Sequence, residues 1–291
     1  MGSNNIPLVS VIVNYFNPKD NPRISATLNL ALESLAAYTE YPLELIIVDG
    51  SGRKSPELAL KSQERGWIYL ECTAKGSTSF ARTYNQGMEA ATGDYRVWMA
   101  SDIFVNVNWE KNLIAELERT KAWMAAPLLT SSDYLAQTQN LVMQMSTFKP
   151  SAMTFNLNII TKECYEKVGL MDERFSGCFN DLDYLLRIRE AGGEAIIVDA
   201  GQIIHIGRAT RNSPSVGSTV NHRQDHQLFL EKYPKLKDSN PYWDFNYVAP
   251  ILCKSWAYRQ LIRACYSLPI KAIKSELVYL AMRLEPLFHR C

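Results

Sequence analysis

Hydrophobic residues in the first hundred positions fall into short solid runs separated by stretches of helical spacing. Val9–Val13 (VSVIV), Leu43–Val48 (LELIIV), Trp67–Glu71 and Tyr95–Met99 are rich in β-branched and aromatic residues and predict buried strands. Between them, Leu28, Ala31, Leu35 and Tyr38 fall on one face of a helix over Ile24–Tyr38, and Pro56–Arg65 and Ser79–Ala91 also read as helices. Near-continuous apolar strands alternating with helices predict an α/β fold, its mostly parallel sheet covered by helices on both faces. The second half breaks this rhythm. Asn140–Phe148 and Ala152–Ile160 alternate in the mixed way of antiparallel or edge strands. Asn180–Ala191 (NDLDYLLRIREA) predicts an amphipathic helix with Leu182, Leu185, Leu186 and Ile188 on its apolar side, stopped by Gly192-Gly193. Two strands, Glu194–Val198 and Gln202–Ile206, are expected after it, and Pro241–Pro250 is aromatic and irregular.

Composition narrows the function classes. The chain has 291 residues, 47% of them hydrophobic and 21% charged, so it can bury a large core. Its net charge of +1 is far from that of a polyanion binder, and no nucleic-acid partner is expected. Cysteines at 72, 164, 178, 253, 265 and 291 form no C-x-x-C pair, which argues against a disulfide scaffold or a cysteine zinc knuckle and suits a reducing compartment. Met1–Pro7 lacks the charged-then-apolar order of a secretory signal. No run approaches the roughly 18 apolar residues of a spanning helix. A cytoplasmic location is expected.

Ligands of such sheets collect beyond the carboxyl ends of the strands. Asn14-Tyr15-Phe16-Asn17, Asp49-Gly50-Ser51-Gly52 and Ala100-Ser101-Asp102 stand there. Two acidic residues at strand ends suit a metal ion, or hydrogen bonds to a base or sugar hydroxyls, better than a bare phosphate. No G-x-G-x-x-G, G-x-x-x-x-G-K-[ST] or G-x-S-x-G occurs, which disfavours a dinucleotide site, a P-loop and a hydrolase elbow. On residue chemistry alone, Asp102 reads equally as a turn or helix-cap aspartate, Asp49 as a turn cap, and His205 as a core histidine. His222, His226 and His289 are expected at the surface.

The order of these pieces resembles the family 2 glycosyltransferases of the GT-A fold. VSVIVNYFNP is similar to that family's first strand and donor loop, and LELIIVDGSG to its second strand with a base-binding aspartate. YNQGMEAATGDYRVWMASD resembles the helix and strand leading to its metal motif. VGLMDERFSGCFNDLDYLLRIREAGG resembles its acceptor loop and catalytic-base helix, and IIHIGR follows at the spacing of its late histidine. The resemblance runs from about Val9 to Tyr233.

It implies a GT-A domain over residues 1–235, with a nucleotide-sugar half (1–102) and an acceptor and catalytic half (103–235). It also implies an inverting, metal-assisted transfer of a hexosyl or deoxyhexosyl group. The donor is a nucleotide-diphosphate sugar, the acceptor a saccharide or lipid-linked molecule, and the setting polysaccharide biosynthesis for the cell envelope. Asp181 takes the base position, and Asp183 is expected to be structural, paired with Arg187 one turn on. Asn14, Tyr15, Asn17, Asp49, Ser51, Arg82, Asn85, Ser101 and Asp102 are the implied donor contacts. Asp102 and His205 are the implied ligands of Mn²⁺ or Mg²⁺. The chain departs from the pattern at Ala100, where the family carries the first acidic residue of its metal motif, and at Asn180, where it often carries Glu. Two alternatives stand beside this reading: a sugar-nucleotide-binding protein with impaired catalysis, motivated by Ala100, and a nucleotidyltransferase, disfavoured because no Gly-rich basic loop follows the first strand.

Residues 236–291 form a separate basic, aromatic extension. From Ile251 to Cys291, seven bases face two acids, a net +5, which leaves −4 for the rest. Ile270, Ile273, Leu277, Leu280, Ala281 and Leu284 make one helical stripe, expected either to pack on the domain or a sister subunit as a homodimer, or to lie in the inner face of the cell membrane.

Overall fold

In the computed structural model, residues 6–72, 80–131, 147–148, 155–206 and 221–234 are described, with four single helical positions at 257, 260, 261 and 264. In chain order the elements are β1 (Val9–Tyr15), α1 (Pro22–Tyr38), β2 (Leu43–Asp49), α2 (Pro56–Arg65), β3 (Ile68–Glu71), α3 (Phe80–Ala90), β4 (Tyr95–Ala100) and β5 (Ile103–Phe104). There follow α4 (Trp109–Thr120), β6 (Met124–Ser131), β7 (Thr147–Phe148), β8 (Leu157–Thr161), α5 (Lys162–Val168), α6 (Asn180–Glu190), β9 (Ala195–His205) and α7 (His222–Lys232).

The strands form one sheet in the order β3-β2-β1-β4-β8-β6-β9-β5, with β7 beside β9. The first four are parallel, as the apolar runs predict, because a strand buried on both faces has no polar side to show to water. Val9, Val11 and Val13 point to one face with α1 and α4, while Ile12 points to the other with α3, α5 and α6. Order reverses at β1: β2 and β3 lie on one side of it and β4 on the other. That places a crevice at the carboxyl ends of β1 and β4. Register aligns the three loops there, pairing Tyr15 with Asp49 and Asn14 with Ala100.

Beyond β4 the pairing turns antiparallel, since β8 runs against both β4 and β6. The two strands expected at 194–198 and 202–206 are a single element, β9. Its register against β6 jumps from Val198–Pro127 to Ile203–Leu129, so β9 advances five residues while β6 advances two. Gly201, at φ +88°, turns the chain within that bulge, and Pro127, which cannot donate to a ladder, sits at its edge. Tyr38, expected on the apolar face of α1, is 43% exposed. Ile24 and Leu32 are buried there instead, because the helix begins at Pro22 behind the Asn21 cap and its contact stripe runs 24-28-31-32-35. The Pro241–Pro250 segment and the stripe at 270–284 lie outside the described residues. Among the described residues, no helix is long and apolar enough to cross a membrane.

Helix α3 packs closely on β1 and β2 because Gly87 presents no side chain there. A β-carbon at that position would stand 2.3 Å from Ile12 Cγ2 and 3.1 Å from Val48 Cγ2, both in the buried sheet. Gly87→Ala is therefore expected to cost about 1–3 kcal/mol in chemical denaturation. Gly66→Ala, at φ +69° in open space, should cost only the left-handed penalty of about 1 kcal/mol. Equal losses would show that α3 has room to shift.

Candidate active site

The loops after β1 and β2 are stitched into one unit. Asn17 N–H donates to Ser51 Oγ at 2.8 Å, and Ser51 N–H donates to Asp49 Oδ1 at 2.9 Å. The Tyr69 hydroxyl donates to Asp49 Oδ2 at 2.7 Å and accepts Ser55 N–H at 3.0 Å. Asp49, 2% exposed, thus spends one acceptor position on each oxygen; a carboxylate has about four, so a further donor can be accepted. Tyr15 and Asn17 are buried beneath the loop. Asn17 Nδ2 lies 3.0 Å from Tyr15 Oη, Asn21 O and Ser25 Oγ, and its Oδ1 accepts Asn21 N–H at 2.8 Å. These two residues hold the loop's shape. Asn14, half-buried at the end of β1, is the first-loop candidate beside Ala100.

Arg82 and Asn85 of α3 meet a different loop. The Asn85 amide exchanges hydrogen bonds with the Met171 backbone at 2.8 and 2.9 Å and donates to Glu173 Oε1 at 3.0 Å. Arg82 Nε donates to Glu173 Oε2 at 3.0 Å. Both residues therefore anchor the segment before α6.

At the end of β4, Ser101 and Asp102 form the turn into β5, where each is under 10% exposed. β5 pairs antiparallel with the end of β9, setting Ile103 opposite His205, and Ile206 N–H donates to Asp102 O at 3.0 Å. This ladder brings His205 Nε2 to 3.3 Å from Asp102 Oδ1. A carboxylate oxygen and an imidazole nitrogen so close fit adjacent positions around one hard or borderline cation, and Mg²⁺ commonly takes one or two protein ligands and completes its shell with phosphate and water. Among the described residues, no group of three or more His, Cys, Asp or Glu gathers. Beneath this pair lies Tyr84, whose hydroxyl is fully buried without a hydrogen-bond partner; burial and the charge of Asp102 hold it firmly protonated.

Asp181 and Asp183 share the first turn of α6 but face opposite surroundings. Asp183, fully buried, receives Arg187 Nε at 2.9 Å, Lys232 Nζ at 2.5 Å and Tyr233 Oη at 2.9 Å, so the expected pairing with Arg187 is part of a larger network. Burial pushes the Asp181 carboxyl up to about 6, partly offset by the backbone N–H groups of Leu182 and Asp181 itself. The two carboxyls of this turn thus stand in different surroundings, one ion-paired and one buried beside backbone amides. Ahead of them Phe179 takes a left-handed conformation, φ +64°, stacked on His226 at 5.6 Å. His226 is thus half-buried against an aromatic ring and not at the surface as expected, because α7 folds back over this turn. His222 has only its backbone described, and His289 lies outside the described residues. Lys232, Tyr233, Glu173 and Tyr69 were not foreseen. They act on partners distant in sequence, a relation that periodicity does not carry.

The curled α/β sheet, with its paired loops and the Asp102–His205 turn, is the fold of the GT-A glycosyltransferases. Solved structures agree: GalNAc-T7 with UDP, GalNAc and Mn²⁺ superposes with a TM-score of 0.61 over 89% of this chain at 15% identity, and S. aureus TarS with 0.57 over 92% at 13%. Residues 10–172 match glycosyl transferase family 2, and the chain belongs to that family. The O-antigen biosynthesis protein RfbC of Myxococcus xanthus is 23% identical over 239 residues, 72% of this chain. The chain spans only 18% of RfbC, 57% of the GalNAc-T7 chain and 47% of the TarS chain.

The raised carboxyl of Asp181 carries a stability signature. Its folded pKa of about 6 exceeds the ordinary 3.8, so the folded state binds the proton more tightly. The associated stability is present below pH about 4 and is lost as pH rises through about 6. Asp181→Asn, which mimics the protonated carboxyl, should raise the Tm at pH 7.5 and leave it unchanged at pH 3.5. The gain is at most about 3 kcal/mol. A gain of equal size at both pH values would assign it to something other than the charge.

Proposed function

We propose that the chain is an inverting, metal-assisted glycosyltransferase that moves a hexosyl or deoxyhexosyl group from a nucleotide-diphosphate sugar to a saccharide or lipid-linked acceptor in polysaccharide biosynthesis for the cell envelope. The observation that carries this reading is the meeting of Asp102 and His205 at 3.3 Å beyond the carboxyl end of β4. Family membership and the names of its relatives, an O-antigen biosynthesis protein and a structure with UDP, GalNAc and Mn²⁺, support the same direction.

In this mechanism the stitched loop of Asn14, Asp49 and Ser51 holds the nucleoside, with Asp49 accepting from the base. Tyr15 and Asn17 keep that loop shaped from below. Asp102 and His205 would hold Mn²⁺ or Mg²⁺, which as a Lewis acid neutralises charge on the departing diphosphate. Ser101 lies in the same turn. Asp181, ionised above about pH 6, takes the proton from the acceptor hydroxyl as its oxygen attacks the anomeric carbon from the face opposite the leaving group. Because the diphosphate leaves readily, one carboxylate suffices, unlike the pair used in glycoside hydrolysis. Arg82 and Asn85 act on the acceptor side by fixing Glu173 and Met171. We assign the protein to the cytoplasm, working on acceptors at the inner face of the membrane.

Ala100 favours a second reading, a donor-binding protein of impaired catalysis, because the first acidic position of the metal motif is missing. The two are separated by turnover. UDP-, GDP- and dTDP-sugars should be consumed with Mn²⁺ present, and Asp181→Asn should lower the rate about 10²–10⁴-fold while leaving nucleotide binding intact. Binding without turnover in wild type selects the second reading. Ala100→Asp adds a carboxylate one strand residue before the turn and should lower the Mn²⁺ concentration for half-maximal binding of UDP, read by calorimetry; His205→Ala should raise it.

A further inference from the structure

One helix face beyond the base turn has no part in the mechanism above. Asp225, Phe229 and Lys232 of α7 are spaced four and three apart and so share one side of it. All three meet the segment from Asp172 to Asp183. The Asp225 carboxylate, fully buried, accepts Ser176 N–H at 2.7 Å on Oδ1, and the Ser176 hydroxyl at 2.9 Å, Gly177 N–H at 3.1 Å and Cys178 N–H at 2.8 Å on Oδ2. Three successive amides converging on one anion form a nest, filled here by the protein's own carboxylate. Phe229 stacks on Phe179 at 4.9 Å. Lys232 Nζ reaches Asp172 Oδ2 at 2.9 Å and Asp183 Oδ1 at 2.5 Å, spanning the entry and exit of the same segment.

We infer that α7 is a brace for the base turn, and that Asp225 and Lys232 are positioning residues that set where the Asp181 carboxyl points. The nest fixes the backbone three to five residues before Asp181, and the Phe229 stack holds Phe179 in its left-handed conformation. Lys232, with Arg187, pairs with Asp183 and holds its carboxylate on the side of α7. No element of the donor loops is involved. This inference rests on Asp181 acting as base, and the test below separates the two.

The test uses the full chain carrying Asp225→Asn, Asp225→Ala, Lys232→Arg or Lys232→Met. Binding sites are counted by calorimetry with UDP, GDP and dTDP in Mn²⁺, and turnover of the matching sugar nucleotide is expressed per binding site. Both Asp225 variants and Lys232→Met should lose about 10–100-fold in kcat per site, as a displaced catalytic group does, with donor KM unchanged. Lys232→Arg should retain most of the rate. Amide exchange should quicken at 176–178 and in the first turn of α6 in both Asp225 variants, and stay unchanged in β1 and β4. Wild-type kcat per site in all four variants, or unchanged exchange at 176–178, overturns the brace. Loss of binding sites in proportion to activity would make these residues structural and overturns it equally. If wild type turns over no sugar nucleotide, the glycosyl-transfer reading fails on its own, and exchange in the first turn of α6 still decides whether α7 holds that turn.

Discussion

Parallel pairing of β1 between β2 and β4 is the constraint on which the site depends. Both faces of β1 are buried under helices, so its backbone groups can be satisfied only by its two neighbours, and a slip of one residue would invert every side chain. The register that results sets Asn14 beside Ala100 and Tyr15 beside Asp49, and the three loops then leave the sheet at one level. Glycine at position 87 lets α3 sit close enough to seal one face of that strand.

Carboxylates do two kinds of work in this fold. Asp49, Asp225 and Glu110 are buried anions that accept backbone N–H groups and so fix turns: Glu110, fully buried, receives Glu40 and Tyr41 N–H at 2.6 and 3.2 Å. Asp183 is neutralised by two cations. Asp102 and Asp181 are different. Among the described residues, Asp102 faces an imidazole and Asp181 accepts the Leu182 N–H. Asp225 and Asp183 meet partners within the fold on both carboxylate oxygens.

The parallel half of the sheet was readable from the sequence because each strand is a compact apolar run bounded by turn residues: β2, and the helix α2 after it, begin and end within a residue of their predicted limits. β6 was not foreseen, since Pro127 within MAAPLLTS argues against a strand, and only the bulge opposite it makes the proline tolerable. Candidate site residues were nominated by their place at strand ends and, for Arg82, Asn85 and Asp181, by the family resemblance. Their partners were not, because Lys232, Glu173 and Tyr69 gain meaning only from contacts 20 to 91 residues away. Tyr15 and Asn17 are buried and meet Ser25, a helix residue that no local pattern links to them.

The Asp102–His205 contact also has a consequence for biosynthesis. Its two halves are separated by about a hundred residues of chain, and β9 can present His205 only after β6 and β8 have given it a place in the sheet. A ribosome-bound chain shorter than this, even with β1 through β4 assembled, holds Asp102 without His205 beside it. The pair proposed to hold the cation is thereby completed only once β9 has joined the sheet.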